Sequence, residues 1–116
     1  MRELARRFRR GVADFVAALR REKSYAIESV PELPHNLEAR VLYLLGDRRP
    51  WSAALLCPCG CKEIVQLSLL ENDSPSWRLH INARREPTLE PSIWRKAGCR
   101  SHFFIRGGRI IWYKRA

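Results

Sequence analysis

The 116 residues contain no uninterrupted apolar run approaching the roughly 20 needed for a membrane-spanning helix, so no crossing of a bilayer is expected. The N-terminus also lacks an apolar core ahead of a cleavage site, so no secretory signal is expected. Together these predict a cytoplasmic, reducing location, where cysteines serve as thiols more than as disulfide partners. Neither an internal repeat nor a low-complexity tract is present. At 46% hydrophobic and 29% charged, the composition is not that of a disordered chain. Acidic residues are scarce, 12 against 22 basic ones, for a net charge of +10. Residues 1–23 carry eight basic and three acidic residues (+5), and the remaining fourteen and nine (+5) are spread over four-fifths of the chain. Nucleic-acid binding through the basic N-terminus is therefore a weaker reading than the charge alone suggests.

Within that first segment Leu4, Phe8, Val12, Phe15, Val16 and Leu19 recur at spacings of three and four, with arginines filling much of the remainder. This spacing predicts a basic amphipathic helix over 1–23, set before a β-rich domain over 24–116. In the second part, Tyr25–Val30, Val41–Leu45, Trp51–Leu56 and Glu63–Leu70 read as strands. Trp77, Leu79 and Ile81 alternate with Arg78, His80 and Asn82, a half-buried strand with His80 on its polar side. Pro87 to Pro91 reads as loop. Phe103–Ile105 and Ile110–Trp112 flank Gly107-Gly108 as a hairpin that sets Phe103 opposite Trp112 and Ile105 opposite Ile110. The tryptophans Trp51, Trp77, Trp94 and Trp112, with Phe103 and Phe104, are mostly spaced as sheet core, while Phe104 and Ile111 form an apolar pair on the hairpin's other face. The fold class expected is α+β, mostly antiparallel β: a small β domain, stapled through its cysteines, with an N-terminal amphipathic helix.

The densest chemistry is Cys57-Pro58-Cys59-Gly60-Cys61, with the fourth cysteine at Cys99. Three thiols on one tight turn cannot all be buried, and residues two apart make poor disulfide partners. Ligation of a soft metal is the role left, and zinc is favoured because it takes four sulfur or nitrogen ligands. Cys99 and His102 bring the candidates to five for about four places. Either the four thiols close a structural site, or His102 replaces a clustered thiol, or one position holds water.

Serine hydrolysis needs a nucleophile, a base and an oxyanion donor. Ser92 and Ser101 are the candidate nucleophiles. Neighbouring residues on a strand point to opposite faces, so Ser101 and His102 do not pair simply. Ser101 would use His80; His102 would use Ser92. Glu63, Glu86 or Glu90 can orient the histidine, and Gly98 and Gly60 can offer N–H groups. A zinc hydrolase with Glu63 as general base is a third mechanism, disfavoured by so many thiolates.

Cys57-Pro-Cys-Gly-Cys, Pro87-Thr-Leu-Glu-Pro-Ser-Ile-Trp94 and Gly98-Cys-Arg-Ser-His-Phe-Phe-Ile105 together resemble the small accessory family of bacterial Bub-type operons. The resemblance covers about residues 50–113 and leaves the basic N-terminal segment outside. It implies a ubiquitin-like modifier and E1-like and E2-like proteins as partners, and a processing or deconjugating peptidase, serine-dependent, as the activity. The alternatives are a non-catalytic zinc module that recruits the modifier or its conjugation enzymes, and nucleic-acid binding.

Overall fold

A computed structural model describes residues 24–113; the helix expected over 1–23 lies outside them. Eight strands follow in order: β1 (Ala26–Val30), β2 (Val41–Leu45), β3 (Ser52–Leu56), β4 (Ile64–Ser68), β5 (Arg78–Ile81), β6 (Pro87–Trp94), β7 (His102–Arg106) and β8 (Arg109–Trp112). They form two four-stranded sheets, β1-β2-β3-β4 and β5-β6-β7-β8. The α+β class is thereby corrected: no helix occurs among the described residues, which are all-β. The physical reason is the period of two in burial along β4, β5 and β7, which a helix cannot satisfy. No helix long and apolar enough to cross a membrane occurs among the described residues.

All ladders are antiparallel except β1–β2, which runs parallel from Ala26↔Val41 to Val30↔Leu45. The run Val41-Leu42-Tyr43-Leu44-Leu45 is buried at every position, as an inner strand covered on both faces requires. Its one polar tip is satisfied, because the Tyr43 hydroxyl accepts the Glu38 N–H at 2.8 Å.

The segment from Pro87 to Pro91, expected as loop, is instead the first part of β6, and the correction has a steric logic. Pro87 is the first residue of the strand, and Pro91 falls where the β6–β7 register shifts between Leu89 and Ile93. Both are places where a missing N–H costs the ladder nothing. From Leu89↔Ile105 to Ile93↔Phe103, three β6 residues (Glu90, Pro91 and Ser92) stand against Phe104 alone, a bulge that re-aims Ser92.

Leu42, Leu44, Ala53, Leu55, Val65 and Leu67 from the first sheet meet Leu89, Ile93, Phe103 and Ile105 from the second in one core. Two backbone bonds tie the layers at their ends, Tyr25 N–H to the Gly108 carbonyl at 2.7 Å and Trp77 N–H to the Ser68 carbonyl at 2.8 Å. The β7–β8 hairpin has the expected register, Phe103↔Trp112, Phe104↔Ile111 and Ile105↔Ile110. The aromatics differ from expectation. Phe103 is fully buried, but Trp51, Trp94 and Trp112 are 47%, 53% and 45% exposed. Trp94 and Phe104 lie on the face of the second sheet turned away from the core, where they meet a histidine.

Candidate functional site

Two constellations sit where β6 ends and β7 begins. The first is the thiol cluster. Cys57 follows β3, and its N–H donates to the Glu63 carbonyl at 2.9 Å, closing the turn that carries Cys59 and Cys61. Cys99 arrives from the β6–β7 connection. The four sulfurs lie within 4.8 Å of one another, with Cys57 Sγ 3.5 Å from Cys59 Sγ and 3.6 Å from Cys99 Sγ. Tetrahedral zinc at about 2.3 Å from each thiolate sets its sulfurs about 3.8 Å apart, so the donor set fits the ion in number, softness and spacing. His102, a candidate fifth ligand, is not part of this group.

The surroundings favour the thiolate at Cys99 and Cys59. The Cys61 thiol is instead pushed up to about 11, the Glu63 N–H that lowers it being outweighed by desolvation and by the neighbouring cysteines. Ser101 Oγ lies 3.2 Å from Cys99 Sγ, and its hydroxyl and N–H hold the Cys99 thiol down to about 6. Cys59 is also held below the ordinary thiol range, first by Ser101 and then by the Cys61 N–H. Arg95 Nη1 stands 3.3 Å from Cys99 Sγ and 3.5 Å from Cys61 Sγ, while its other nitrogen meets Glu63 at 3.3 Å. Arg95 thus offsets part of the cluster's negative charge and couples it to β6.

The second constellation is a serine–histidine pair. Ser92 Oγ and His102 Nε2 are 2.8 Å apart. Trp94 is the direct cross-strand partner of His102, and Ser92, two residues earlier, shares its face of the strand. The bulge brings Ser92 diagonally onto the imidazole. Its carbonyl accepts the Trp77 indole N–H at 3.3 Å, which anchors the backbone. The imidazole is held between flat faces: Trp94 stacks at 5.2 Å and 14°, and Tyr113 at 4.3 Å and 21°. The Tyr113 N–H donates to the His102 carbonyl at 2.9 Å and fixes that ring's position.

The remaining candidates lie elsewhere. Ser101 is buried at 9% exposure, and its hydroxyl is engaged by Cys99. His80 is exposed on β5 opposite Thr88, away from Ser101. No carboxylate contacts His102 among the described residues. Glu63 pairs with Arg95, Glu86 accepts from Asn82 at 2.9 Å, and Glu90 faces Arg78 at 3.9 Å. Gly60 N–H is used by the Cys57 carbonyl, and Gly98 lies beside the Glu63 side chain. Arg95, Trp94 and Tyr113 are the site residues the sequence reading missed. The signal for Trp94 was its i, i+2 spacing from Ser92, visible only once Pro87–Trp94 is a strand.

Known proteins bear on this arrangement in one comparison. No curated protein and no solved structure matches the chain. Residues 29–113, spanning all eight strands but the first three residues of β1, match the family described as bacterial ubiquitination-like system serine protease. A match over so much of the chain settles membership: this protein belongs to the BubE family of serine proteases of bacterial ubiquitination-like systems.

Proposed function

We propose that the chain is the peptidase that processes or removes the ubiquitin-like modifier of its conjugation system, with Ser92 as nucleophile, His102 as general base, and zinc held by Cys57, Cys59, Cys61 and Cys99. The observation that carries this reading is the 2.8 Å contact between Ser92 Oγ and His102 Nε2. That is hydrogen-bond distance for passing the hydroxyl proton to the imidazole as Oγ attacks a carbonyl carbon. The imidazolium then gives that proton to the departing amine. Water repeats the transfer to free the acid from Ser92.

The usual third member of such a site, a carboxylate on Nδ1, is replaced here by aromatic stacking, which fixes the imidazole plane. For the oxyanion, the Ser92 N–H is the favoured donor. The β5–β6 ladder ends at Arg78↔Glu90, so Ser92 lies beyond its last pair. Zinc held by this donor set would supply a cross-link between the two sheets. Cys57, Cys59, Cys61 and Cys99 would supply all four ligands, and Glu63 is committed to Arg95, which argues against metal-activated water.

The test is cleavage of a purified modifier precursor. Ser92→Ala and His102→Ala are expected to abolish cleavage, while Ser101→Ala and His80→Ala retain it. Unimpaired cleavage by Ser92→Ala would end the proposal.

A further inference from the structure

We infer that the outer edge of β8 is a docking strand for an extended, acidic stretch of the substrate polypeptide, delivered from there to Ser92. The inference rests on the peptidase reading above for the words "substrate" and "delivered"; the docking itself rests on separate observations.

Strand β8 ends the second sheet, with no described strand beyond it. The hydrogen bond from Tyr113 N–H to the His102 carbonyl sets the phase of the β7–β8 ladder. Backbone groups of an antiparallel strand alternate between its two sides. Those of Arg109, Ile111 and Tyr113 therefore point to β7, and those of Ile110 and Trp112 point outward. In the turn just before the strand, the Gly108 carbonyl takes the Tyr25 N–H at 2.7 Å while the Gly108 N–H turns inward to the Pro87 carbonyl at 2.8 Å, so a backbone donor already sits at the start of this edge. Beyond it, the N–H and C=O of Ile110 and Trp112 form the outward row of the strand.

Along this edge runs a groove of about 930 Å³. All four β8 residues line it, from both faces of the strand, so the groove follows the strand's edge and not one of its sides. Leu56, Pro58 and Ile111 give it apolar walls, and Arg40, Lys62 and Arg109 give it three cations with no carboxylate among the lining residues. Outward backbone donors and acceptors select an extended chain, and the cations select acidic side chains on it. Nucleic acid shares the charge preference, but gains nothing from the alternating backbone row.

The groove also leads to the site. Trp112 lines its end, and the next residue, Tyr113, stacks on His102. From the β8 edge to Ser92 on β6 is two strand spacings, about 10 Å, within reach of three or four extended residues.

The test uses the full chain carrying Ser92→Ala, so that binding is read without turnover. Two labelled ten-residue peptides alternating Val–Glu and Val–Lys, and a twelve-base-pair DNA duplex, are titrated by fluorescence anisotropy. The Val–Glu peptide is expected to bind about tenfold or more tightly than Val–Lys and than the duplex. Binding is expected to weaken about tenfold with Arg109→Glu or Lys62→Glu. Ile110→Pro removes one outward N–H while leaving the β7 ladder intact, and is expected to abolish binding; Ile110→Val, which keeps the N–H, is expected to preserve it. Equal affinity for the two peptides, preference for the duplex, or indifference to Arg109→Glu would overturn the docking strand. Peptide binding together with a native chain that cleaves no precursor would sink the catalytic reading and leave the docking strand standing.

Discussion

Trp94 and His102 are direct cross-strand partners whose rings stack 5.2 Å apart and 14° from parallel, and Tyr113 closes the other side of the imidazole at 4.3 Å. With no carboxylate against His102 among the described residues, its orientation depends on such faces. Aromatic pairs are worth about 0.5–1.5 kcal/mol, which sets the expected cost of losing one at about twofold to tenfold in rate. Tyr113→Ala is expected to lower kcat within that range with little change in KM for a short peptide, and Tyr113→Phe to restore it. A fall in KM-linked binding alone, with kcat intact, would assign Tyr113 to substrate contact and not to the base.

The two serines separate by role. Ser92→Ala removes the hydroxyl beside His102 Nε2 and is expected to eliminate cleavage with the thermal midpoint unchanged within about a degree or two. Ser101→Ala removes the hydroxyl beside Cys99 Sγ. It is expected to keep cleavage while weakening metal retention about 10–100-fold against a chelator, the usual cost of losing a group that supports a ligand.

Metal content is expected at one ion per chain, read by elemental analysis after exhaustive dialysis. A strong chelator is expected to lower the unfolding midpoint, and added zinc to restore it, because a bound ion stabilises only the folded chain.

Thiol reactivity in the chelator-stripped protein gives a pH test. The Cys99 thiol is held down to about 6, chiefly by the Ser101 hydroxyl, so its folded-state value lies below that of the unfolded chain. The thiolate reacts and the thiol does not. Labelling of Cys99 by iodoacetamide, followed by mass spectrometry, should therefore be substantial at pH 7 and fall as the pH drops through about 6. In denaturant the same fall should occur about two to three units higher.

In the core, Phe103 is fully buried at the meeting of the two sheets. Phe103→Ala is expected to cost about 3–5 kcal/mol in urea unfolding, while Ile111→Ala, on an exposed position, should cost less than about 1 kcal/mol.

Much of this was legible where the determinants are local. Cys57, Cys59 and Cys61 lie within five residues, and the Gly107-Gly108 hairpin fixes its own register, so both read directly from order and spacing. The strand β6 was not legible, because proline signals outweigh alternation unless one knows that Pro87 starts the strand and Pro91 lies at a bulge. The open choice of serine and histidine follows from that one. With Pro87–Pro91 taken as loop, Ser92 and Trp94 had no common face, and the choice between Ser92 with His102 and Ser101 with His80 stayed open. Tyr113 stands one residue beyond Trp112, so the hairpin register carries it opposite His102, a contact missed because the strand was read as ending at Trp112. The α+β expectation arose from residues 1–23, outside the described part, and the eight strands supply no helix to support it.

Three of the four sulfurs come from a single turn, whereas Cys99 follows Cys57 by 42 residues and lies in the β6–β7 connection of the second sheet. A nascent chain therefore offers an ion three thiolates early and the fourth late. With the proposed metal bound, coordination would report assembly: a trapped species in which β5–β8 have not condensed would carry an incompletely saturated ion, distinguishable by its ligand-exchange rate from the finished protein.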